Sequence, residues 1–229
     1  MIFYEIASLT VIVANMIITS DLLPTVSAQL DKIIALGLLE TAGINESEAR
    51  AAIREREDET GALFTIHPSK VLVADVIPLL MLSEKTGFIV EDLVDIESFT
   101  PIPEVEIPDS SFYLIEGLDR GDSFSNWSPN KALPELLQRG ASPLVTLEGL
   151  IWVLQVPEIL QRNRCFMIIG SRKVETPGQL DTRVPALWIS NGTGRDGVER
   201  RNAPKLGWCW AGNRHTWLGI ASVRNRYAI

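Results

Sequence analysis

The chain has 229 residues, a mass of 25.4 kDa and a formal net charge of −8, with 46% apolar and 22% charged residues. These proportions exclude a collagen-like, coiled-coil or wholly disordered chain. The acidic balance argues against a protein that coats duplex nucleic acid or an anionic membrane with its whole surface. Two cysteines, Cys165 and Cys209, are too few for a disulfide framework and favour a reducing, cytoplasmic location.

The N-terminal residues contain an apolar run at positions 6–18. This run is shorter than the roughly 20 residues that a membrane-spanning helix needs. No Lys or Arg precedes it, so the positive region of a secretory signal is missing. We therefore expect residues 1–24 to form an N-terminal extension, residues 25–229 to form a single domain, and the protein to have no membrane partner.

The first half of the domain favours helices. Residues 25–39 carry apolar side chains at helical spacing, and Asn45 with Glu48 has the pattern of a capping box before a charged helix at 46–59. Residues 63–67 then predict a short strand. Residues 71–82 are apolar almost throughout, which indicates a buried segment.

The middle of the chain alternates strands and helices. Three prolines in residues 100–109 favour an edge segment or linker, whereas residues 112–116 predict a strand. Ser128 and Pro129 open a helix that Gly140 closes. Residues 146–160 predict an apolar helix that Pro157 interrupts.

The last third reads as a sheet. Four short strand-like runs with Gly, Asn and Asp between them predict an antiparallel meander, at residues 165–170, 184–190, 206–210 and 216–222. The joins at 173–182 and 191–204 are polar, so we expect them to be exposed and mobile. The fold class is therefore α+β, with N-terminal helices packed with a mainly antiparallel C-terminal sheet.

Charge is distributed unevenly along the chain. Residues 1–163 carry 10 Lys/Arg and 25 Asp/Glu, a balance of −15, whereas residues 164–229 carry 11 and 4, a balance of +7. Four of the six tryptophans also lie in the second part: Trp188, Trp208, Trp210 and Trp217. Such asymmetry marks either an interaction surface or a basic segment that packs against the acidic one within a single fold.

Three runs in the last third resemble a bacterial, actinobacterial-type family of unknown function. They are RCFM with GSR at 164–172, RVPALWIS at 183–190 and APKLGWCWAGNRHTWLG at 203–219, and a weaker match extends back to about Gln29. The resemblance implies a cytoplasmic bacterial protein. The family has no established activity, so the resemblance implies no catalytic residue.

The leading functional hypothesis is a binding or interaction domain. Basic side chains near predicted strand ends alternate with tryptophans, and arginine forks with aromatic faces suit a small anionic ligand or a partner protein. The predicted ligand-binding residues are Arg172, Arg183, Arg214, His215 and Trp210. In the alternative interpretation, the tryptophans fill the core and the arginines pair with the acidic part of the chain.

A second hypothesis is a hydrolase or transferase that uses Cys209 and His215. These residues lie six positions apart across a predicted turn, so a hairpin could bring the imidazole toward the thiol. However, Cys209 lies between Trp208 and Trp210, and strand alternation places it on the opposite face from both, where a small buried cysteine is common. No spacing of Cys, His or Gly matches a metal, nucleotide or phosphate motif, so we expect no metal and no cofactor.

Overall fold

The computed structural model describes residues 22–229, and the expectations for the apolar run at 6–18 lie outside the described residues. The α-helices are α1 (Val26–Ala35), α2 (Leu38–Thr41), α3 (Glu46–Ala52), α4 (Val73–Val76), α5 (Pro129–Gln138) and α6 (Thr146–Gln155). Short 3₁₀ helices span Ile77–Leu79, Ile96–Ser98, Asp122–Phe124, Pro157–Ile159, Gly194–Asp196 and Val198–Arg200.

The strands of the first half are β1 (Ala62–Ile66), β2 (Met81–Leu82), β3 (Lys85–Thr86), β4 (Phe88–Ile89), β5 (Thr100–Pro101), β6 (Phe112–Glu116) and β7 (Ser142–Pro143). Those of the second half are β8 (Cys165–Met167), β9 (Ser171–Arg172), β10 (Val174–Thr176), β11 (Gln179–Leu180), β12 (Arg183–Ile189), β13 (Pro204–Trp210), β14 (Leu218–Ile220), β15 (Ser222–Val223) and β16 (Asn225–Ala228).

Helix α6 lies in the core between the two largest sheets, and every one of its residues is buried. This is the expected place for a helix that is apolar on all sides. On one side the Tyr113 hydroxyl of β6 donates to Glu148 Oε1 (2.8 Å), and on the other the Trp152 ring lies 5.8 Å from that of Phe166 on β8. Trp152 and Cys165 lie in the core, with 0% and 3% of their surfaces exposed.

The first large sheet has three antiparallel strands in the order β1-β6-β16. Helix α1 is attached to it by Gln29, whose buried amide donates to the Ala62 carbonyl (2.8 Å) and accepts from the Phe64 amide (2.9 Å). Asn45 caps α3 as predicted, although this helix ends at Ala52 rather than near residue 59. Leu23, which the sequence analysis assigned to the extension, is buried in the core, and the domain boundary at residue 24 stays a prediction.

The second large sheet has five strands in the order β14-β8-β12-β13-β4. Strands β8, β12 and β13 form the predicted antiparallel succession. The prediction is wrong for β14, which pairs in parallel with β8 at the opposite edge instead of continuing the meander beside β13. After β13 the chain crosses near the start of α5, where the Ala211 carbonyl accepts from the Asn130 amide (3.1 Å), and so reaches the far edge.

Both faces of the five-stranded sheet are covered. Leu187 and Leu206 belong to the core that contains α6, whereas Val184 and Met167 belong to a second core that contains Leu136 of α5. The layers are thus the three-stranded sheet, α6, the five-stranded sheet and α5. The predicted α+β class is confirmed.

Each of the two polar joins is exposed in one part and buried in another. Residues 173–182 contain the hairpin β10–β11, whose Val174 and Leu180 side chains are exposed as predicted, but Asp181 after it is only 3% exposed. The expectation of an exposed join is wrong for part of residues 191–204, because Asp196 is only 9% exposed. Its carboxylate accepts from Lys205 Nζ (2.7 Å) and from the Ser190 hydroxyl (2.7 Å), which holds this segment on the sheet.

Candidate functional site

One of the predicted ligand-binding arginines, Arg183, lies in a partly exposed ion-pair cluster. Arg183, at the start of β12, donates to both carboxylate oxygens of Asp95 (3.0 and 2.7 Å) and to Oδ2 of Asp181 from Nε (2.9 Å). Lys173 Nζ donates to Asp95 as well (2.8 Å), and the Arg183 guanidinium lies 5.3 Å from the centre of the Phe99 ring. This cluster fastens the segment that contains Asp95 to the first residue of β12, the central strand of the sheet.

The cluster shifts the ionisation of its members in the directions expected for charge pairs. Hydrogen bonds from Arg183 and then Lys173 hold the pKa of Asp95 well below its usual range, against the opposing effect of burial. Bonds to Asp181 and Asp95 raise the pKa of Arg183 above its ordinary value. Asp95, Arg183 and Lys173 are therefore all charged at neutral pH. The positive charge of Arg183 is balanced by the carboxylates of Asp95 and Asp181.

Arg172 is buried rather than presented to solvent, with 8% of its surface exposed. Its guanidinium donates to the Asp181 carbonyl oxygen, while its Nε has no hydrogen-bond partner among the described residues. Burial lowers the pKa of Arg172, and the nearby charge of Asp181 partly opposes this shift. Arg172 and Arg183 therefore meet at Asp181 and not at an open surface.

The other predicted binding residues lie beyond the end of β13. Trp210 is 46% exposed and pairs edge-to-face with Trp208 at a ring distance of 4.6 Å. Arg214 is exposed, and its Nε donates to the Asn126 carbonyl (3.1 Å). The His215 ring lies 5.0 Å from that of Trp217. Thus His215 lies near a tryptophan, and no described contact joins Arg214 or His215 to Arg172 or Arg183.

Cys209 is half-buried, and its side chain packs with the second core, on the opposite face from Trp208. Burial raises the pKa of the thiol, and hydrogen bonds from the Trp210 amide and the Asn213 side chain only partly offset this effect. Among residues 22–229, no hydrogen bond joins Cys209 to His215. A thiol in this state is mainly protonated at neutral pH, which does not favour nucleophilic chemistry.

The ion pairs connect the basic third of the chain to the acidic part. They join Arg164 to Asp122, Lys173 and Arg183 to Asp95, Arg195 to Asp92, and Arg226 to Glu148. For these residues, the ion pairs support the interpretation that the basic part of the chain packs against the acidic part within a single fold. Arg164 (54% exposed) and Arg195 (74% exposed) each lie at a cavity, and of these two cavities the one at Arg164 also contains tryptophans.

That cavity, of about 320 Å³, forms where β8 begins, and we call it the Trp188–Trp217 cleft. Arg164 and Asn163 precede β8, and Trp188 is the cross-strand partner of Cys165 on β12. Strand β14 runs parallel to β8, and Leu218 lies opposite Cys165. Trp217, the residue before Leu218, therefore lies beside Arg164, on the side of β8 opposite to β12. The register of three strands thus brings one guanidinium and two indoles to one cavity.

Polar groups complete the cleft. Asn191 lines it together with Asn163, so carboxamides stand beside the aromatic side chains. A smaller cavity of about 180 Å³ shares Arg164 and Trp217 with the cleft and contains Asp122. The sequence analysis named Trp188 and Trp217 among the tryptophans of the basic part of the chain, whereas Arg164 entered it only as the first residue of the RCFM run. The position of Arg164 directly before a strand was the signal that could have singled it out.

Within residues 22–229 there is no group of three or more His, Cys, Asp or Glu side chains suited to hold a metal ion. In the same part of the chain, no helix combines the length and the apolar character required to cross a bilayer.

The family comparison agrees with the sequence resemblance at the level of the family. Residues 32–229 match the family of unknown function DUF5701, and the chain belongs to this family. Comparison with curated proteins gives no match. Comparison with solved structures also gives none.

Proposed function

We propose that this protein binds a small anionic ligand with a planar face in the Trp188–Trp217 cleft. The observation that carries the proposal is the presence of Arg164, Trp188 and Trp217 around one cavity. A guanidinium supplies paired donors to a carboxylate or phosphate, and indole faces bind planar groups. The volume of about 320 Å³ lies within the range of small-molecule sites, roughly 300–1,000 Å³.

The local charge favours an anion. Arg164 donates to Asp122 Oδ2 (3.1 Å), but Arg120 also donates to Asp122 through Nε (3.0 Å) and a second bond. Two guanidiniums therefore share one carboxylate, which leaves a net positive charge. Lys205 Nζ lies 4.9 Å from the Trp188 ring centre, but its charge is paired with Asp196, so the excess positive charge comes from Arg164 and Arg120.

Arg214 and His215 belong to the rim in this proposal, because His215 contacts the ring of Trp217. Arg172 and Arg183 do not, since their partners are internal. A cytoplasmic location remains part of the proposal and is supported by two free thiols, Cys165 and Cys209. The Cys209 and His215 enzyme hypothesis is supported by no described contact.

The test is calorimetric titration with three planar anions: benzoate, indole-3-carboxylate and adenosine monophosphate. Arg164→Ala should raise the dissociation constant of the tightest-binding anion by about ten-fold or more, because a charge-assisted bidentate contact is lost. The free energy of unfolding of Arg164→Ala should differ from that of the wild type by less than about 0.5 kcal/mol, as for substitutions of other exposed residues. The matched control is Arg195→Ala, which removes an arginine that is 74% exposed, pairs with Asp92 and lines a different cavity.

Equal weakening by both variants would indicate a general charge effect and contradict the site. Absence of binding to all three anions would contradict the small-ligand proposal. Capture of a protein by the wild type, lost in Arg164→Ala when no anion binds, would assign the cleft to a partner protein instead.

A further inference from the structure

A second cavity lies at the N-terminus of α6, and we call it the α6 cavity. Its volume is about 390 Å³, and it shares no lining residue with the Trp188–Trp217 cleft. An apolar group that leaves water for an apolar wall gains free energy in proportion to the area it buries. The wall of this cavity is mostly apolar, with side chains from three parts of the chain: Val71 and Val73, Ile96 and Phe99, and Val105 and Ile107.

One wall of the α6 cavity is a segment that backbone hydrogen bonds hold in place. The Ile102 amide donates to the Gly170 carbonyl (2.9 Å), and the Val105 amide donates to the Ile102 carbonyl (3.0 Å). Ile102 and Val105 form a small buried cluster with Val145, the residue before α6. Ile107 packs against this cluster. The wall is therefore formed before any ligand enters.

Glu97 supplies the negative charge of the α6 cavity. Among the described residues that line the cavity, it is the only Asp, Glu, Lys or Arg. Its carboxylate oxygens accept from the Val73 and Ala74 amides (3.2 and 2.9 Å), and no lysine or arginine of the described chain pairs with it. Glu97 is exposed, and each carboxylate oxygen can accept another hydrogen bond. A ligand at this cavity therefore reaches a carboxylate that has no cationic side chain paired to it.

The histidine that lines the cavity does not balance this charge. The Nδ1 atom of His67 accepts from the Ser69 amide (3.1 Å), which places the ring proton of the neutral imidazole on Nε2. Burial lowers the pKa of His67, and the smaller effects of Asp109 and Lys70 oppose each other. The imidazole is therefore uncharged at neutral pH.

The chain around Glu97 is acidic. Residues 86–119 contain nine Asp and Glu and no Lys or Arg. Two arginines of the sheet come near this segment, but neither lines the cavity. Arg183 lies over the ring of Phe99 and is balanced by Asp95 and Asp181. Arg172 is 8% exposed and donates to the Asp181 carbonyl. The charges at the cavity therefore attract a cation and repel an anion.

We infer that the α6 cavity binds an amphipathic cation, a primary amine with an apolar body, whose ammonium group donates to Glu97. The apolar wall contacts the body of the ligand, and the carboxylate accepts a charge-assisted hydrogen bond from the ammonium group. Because Glu97 is exposed, the ammonium group stays in contact with water, and the cost of removing its hydration shell is small.

Calorimetric titration of the full-length chain with octylamine tests this inference, with octanol and octanoate as comparison compounds of the same chain length. Octylamine is protonated at neutral pH, as a lysine side chain is. It should bind, and octanol should bind about ten-fold more weakly, because the alcohol lacks the charge-assisted hydrogen bond. Octanoate should bind more weakly than octanol, because Glu97 repels its carboxylate. Octanol that binds as tightly as octylamine would overturn the assignment of a cationic ligand.

Glu97→Gln should weaken octylamine binding by about ten-fold, because it removes the negative charge of the cavity. The matched control is Glu175→Gln. It changes the net charge of the protein by the same amount, but Glu175 is an exposed residue of β10 that does not line the cavity, so binding should be unchanged. Equal octylamine affinities of both variants and the wild type would contradict the site.

Thr100 provides a second test that does not depend on the hydrogen bonds of Glu97. It lines the cavity and is exposed, so a longer side chain reaches solvent. Thr100→Lys should weaken octylamine binding by about ten-fold and strengthen octanoate binding, because it adds a cation at the cavity. Thr100→Gln, which adds length without charge, is the control and should reduce octylamine binding less. Equal effects of the two variants would overturn the role of charge.

The other possible occupants of the cavity give different results. Absence of octylamine binding to the full-length chain would overturn the inference. Dimerisation that octylamine and Thr100→Lys both disrupt, measured by sedimentation, would assign the cavity to a second copy of the chain instead. Arg164→Ala should leave octylamine binding unchanged, so the outcome is independent of the anion proposed for the Trp188–Trp217 cleft.

Discussion

Gly207 lies against the indole of Trp188, so closely that a β-carbon at residue 207 would be 2.4 Å from Cη2 of the ring. The two residues lie on the adjacent strands β13 and β12, whose register pairs Trp188 with Lys205. The missing side chain at Gly207 therefore gives the ring its place beside the cleft. This contact explains why glycine occupies position 207 in the run APKLGWCWAGNRHTWLG.

Gly207→Ala should destabilise the protein by about 1–3 kcal/mol, because the added methyl group overpacks a formed contact. The variant should also weaken the binding of any ligand to the Trp188–Trp217 cleft, because the added methyl group displaces the indole of Trp188. Urea unfolding measures the first effect. Gly212→Ala is the control, since no atom lies within 4 Å of a β-carbon there, and it should change stability by less than about 0.5 kcal/mol. Equal effects of both variants would show that the contact with Trp188 is unimportant.

Asp95→Asn should destabilise the protein by about 1–3 kcal/mol at pH 7, because it breaks the contacts with Arg183 and Lys173 in a partly exposed cluster. The pKa of Asp95 is lowered in the folded state. Its contribution is thus fully present above the unfolded pKa of about 3.9 and is lost as pH falls toward the folded value.

The difference in unfolding free energy between wild type and Asp95→Asn should therefore shrink below about pH 4. Denaturant titrations between neutral and acid pH measure it. Asp92→Asn is the comparison variant, because Asp92 is 45% exposed and pairs with an arginine that is 74% exposed. A difference that stays constant down to acid pH would contradict the role of the Asp95 charge.

Local patterns in the sequence were sufficient for much of the fold. Apolar runs with turn residues predicted β6 and the buried helix α6, because these elements depend on their own residues. The position of β14 could not be predicted in this way. Its parallel pairing with β8 depends on the path of the chain across α5, and no short-range pattern encodes that path.

The contrast between local patterns and long-range pairing also applies to the predicted site residues. Clusters of arginine and tryptophan predicted a binding surface in the last third of the chain, but Arg183 pairs with Asp95, far away in sequence. Arg164 and Trp217 come together only through the parallel pairing of β8 with β14. In an antiparallel meander Trp217 would not lie beside Arg164, so local sequence patterns alone do not bring these two residues together.

A buried ion pair between Glu148 and Arg226 joins α6 to the last strand, with side chains 0% and 5% exposed. Arg226→Met should destabilise the protein by about 3–5 kcal/mol, because it leaves the Glu148 carboxylate buried without its cation. The double variant Arg226→Met, Glu148→Leu should cost less than the sum of the single variants, since it removes both charges. Chemical unfolding of all four proteins measures this coupling. Strict additivity would contradict a direct interaction.

Iodoacetamide should modify Cys209 slowly at neutral pH, at a rate roughly ten-fold or more below that of the same cysteine in urea, because burial raises the pKa of the thiol. The rate should rise with pH as the thiol ionises. Cys165 should react more slowly still, since burial raises the pKa of its thiol well above the ordinary value. Mass spectrometry of wild type and Cys209→Ser assigns the label, and His215→Ala should react like wild type. Fast, selective labelling of Cys209 that depends on His215 would contradict this prediction and support the thiol enzyme instead of the binding protein.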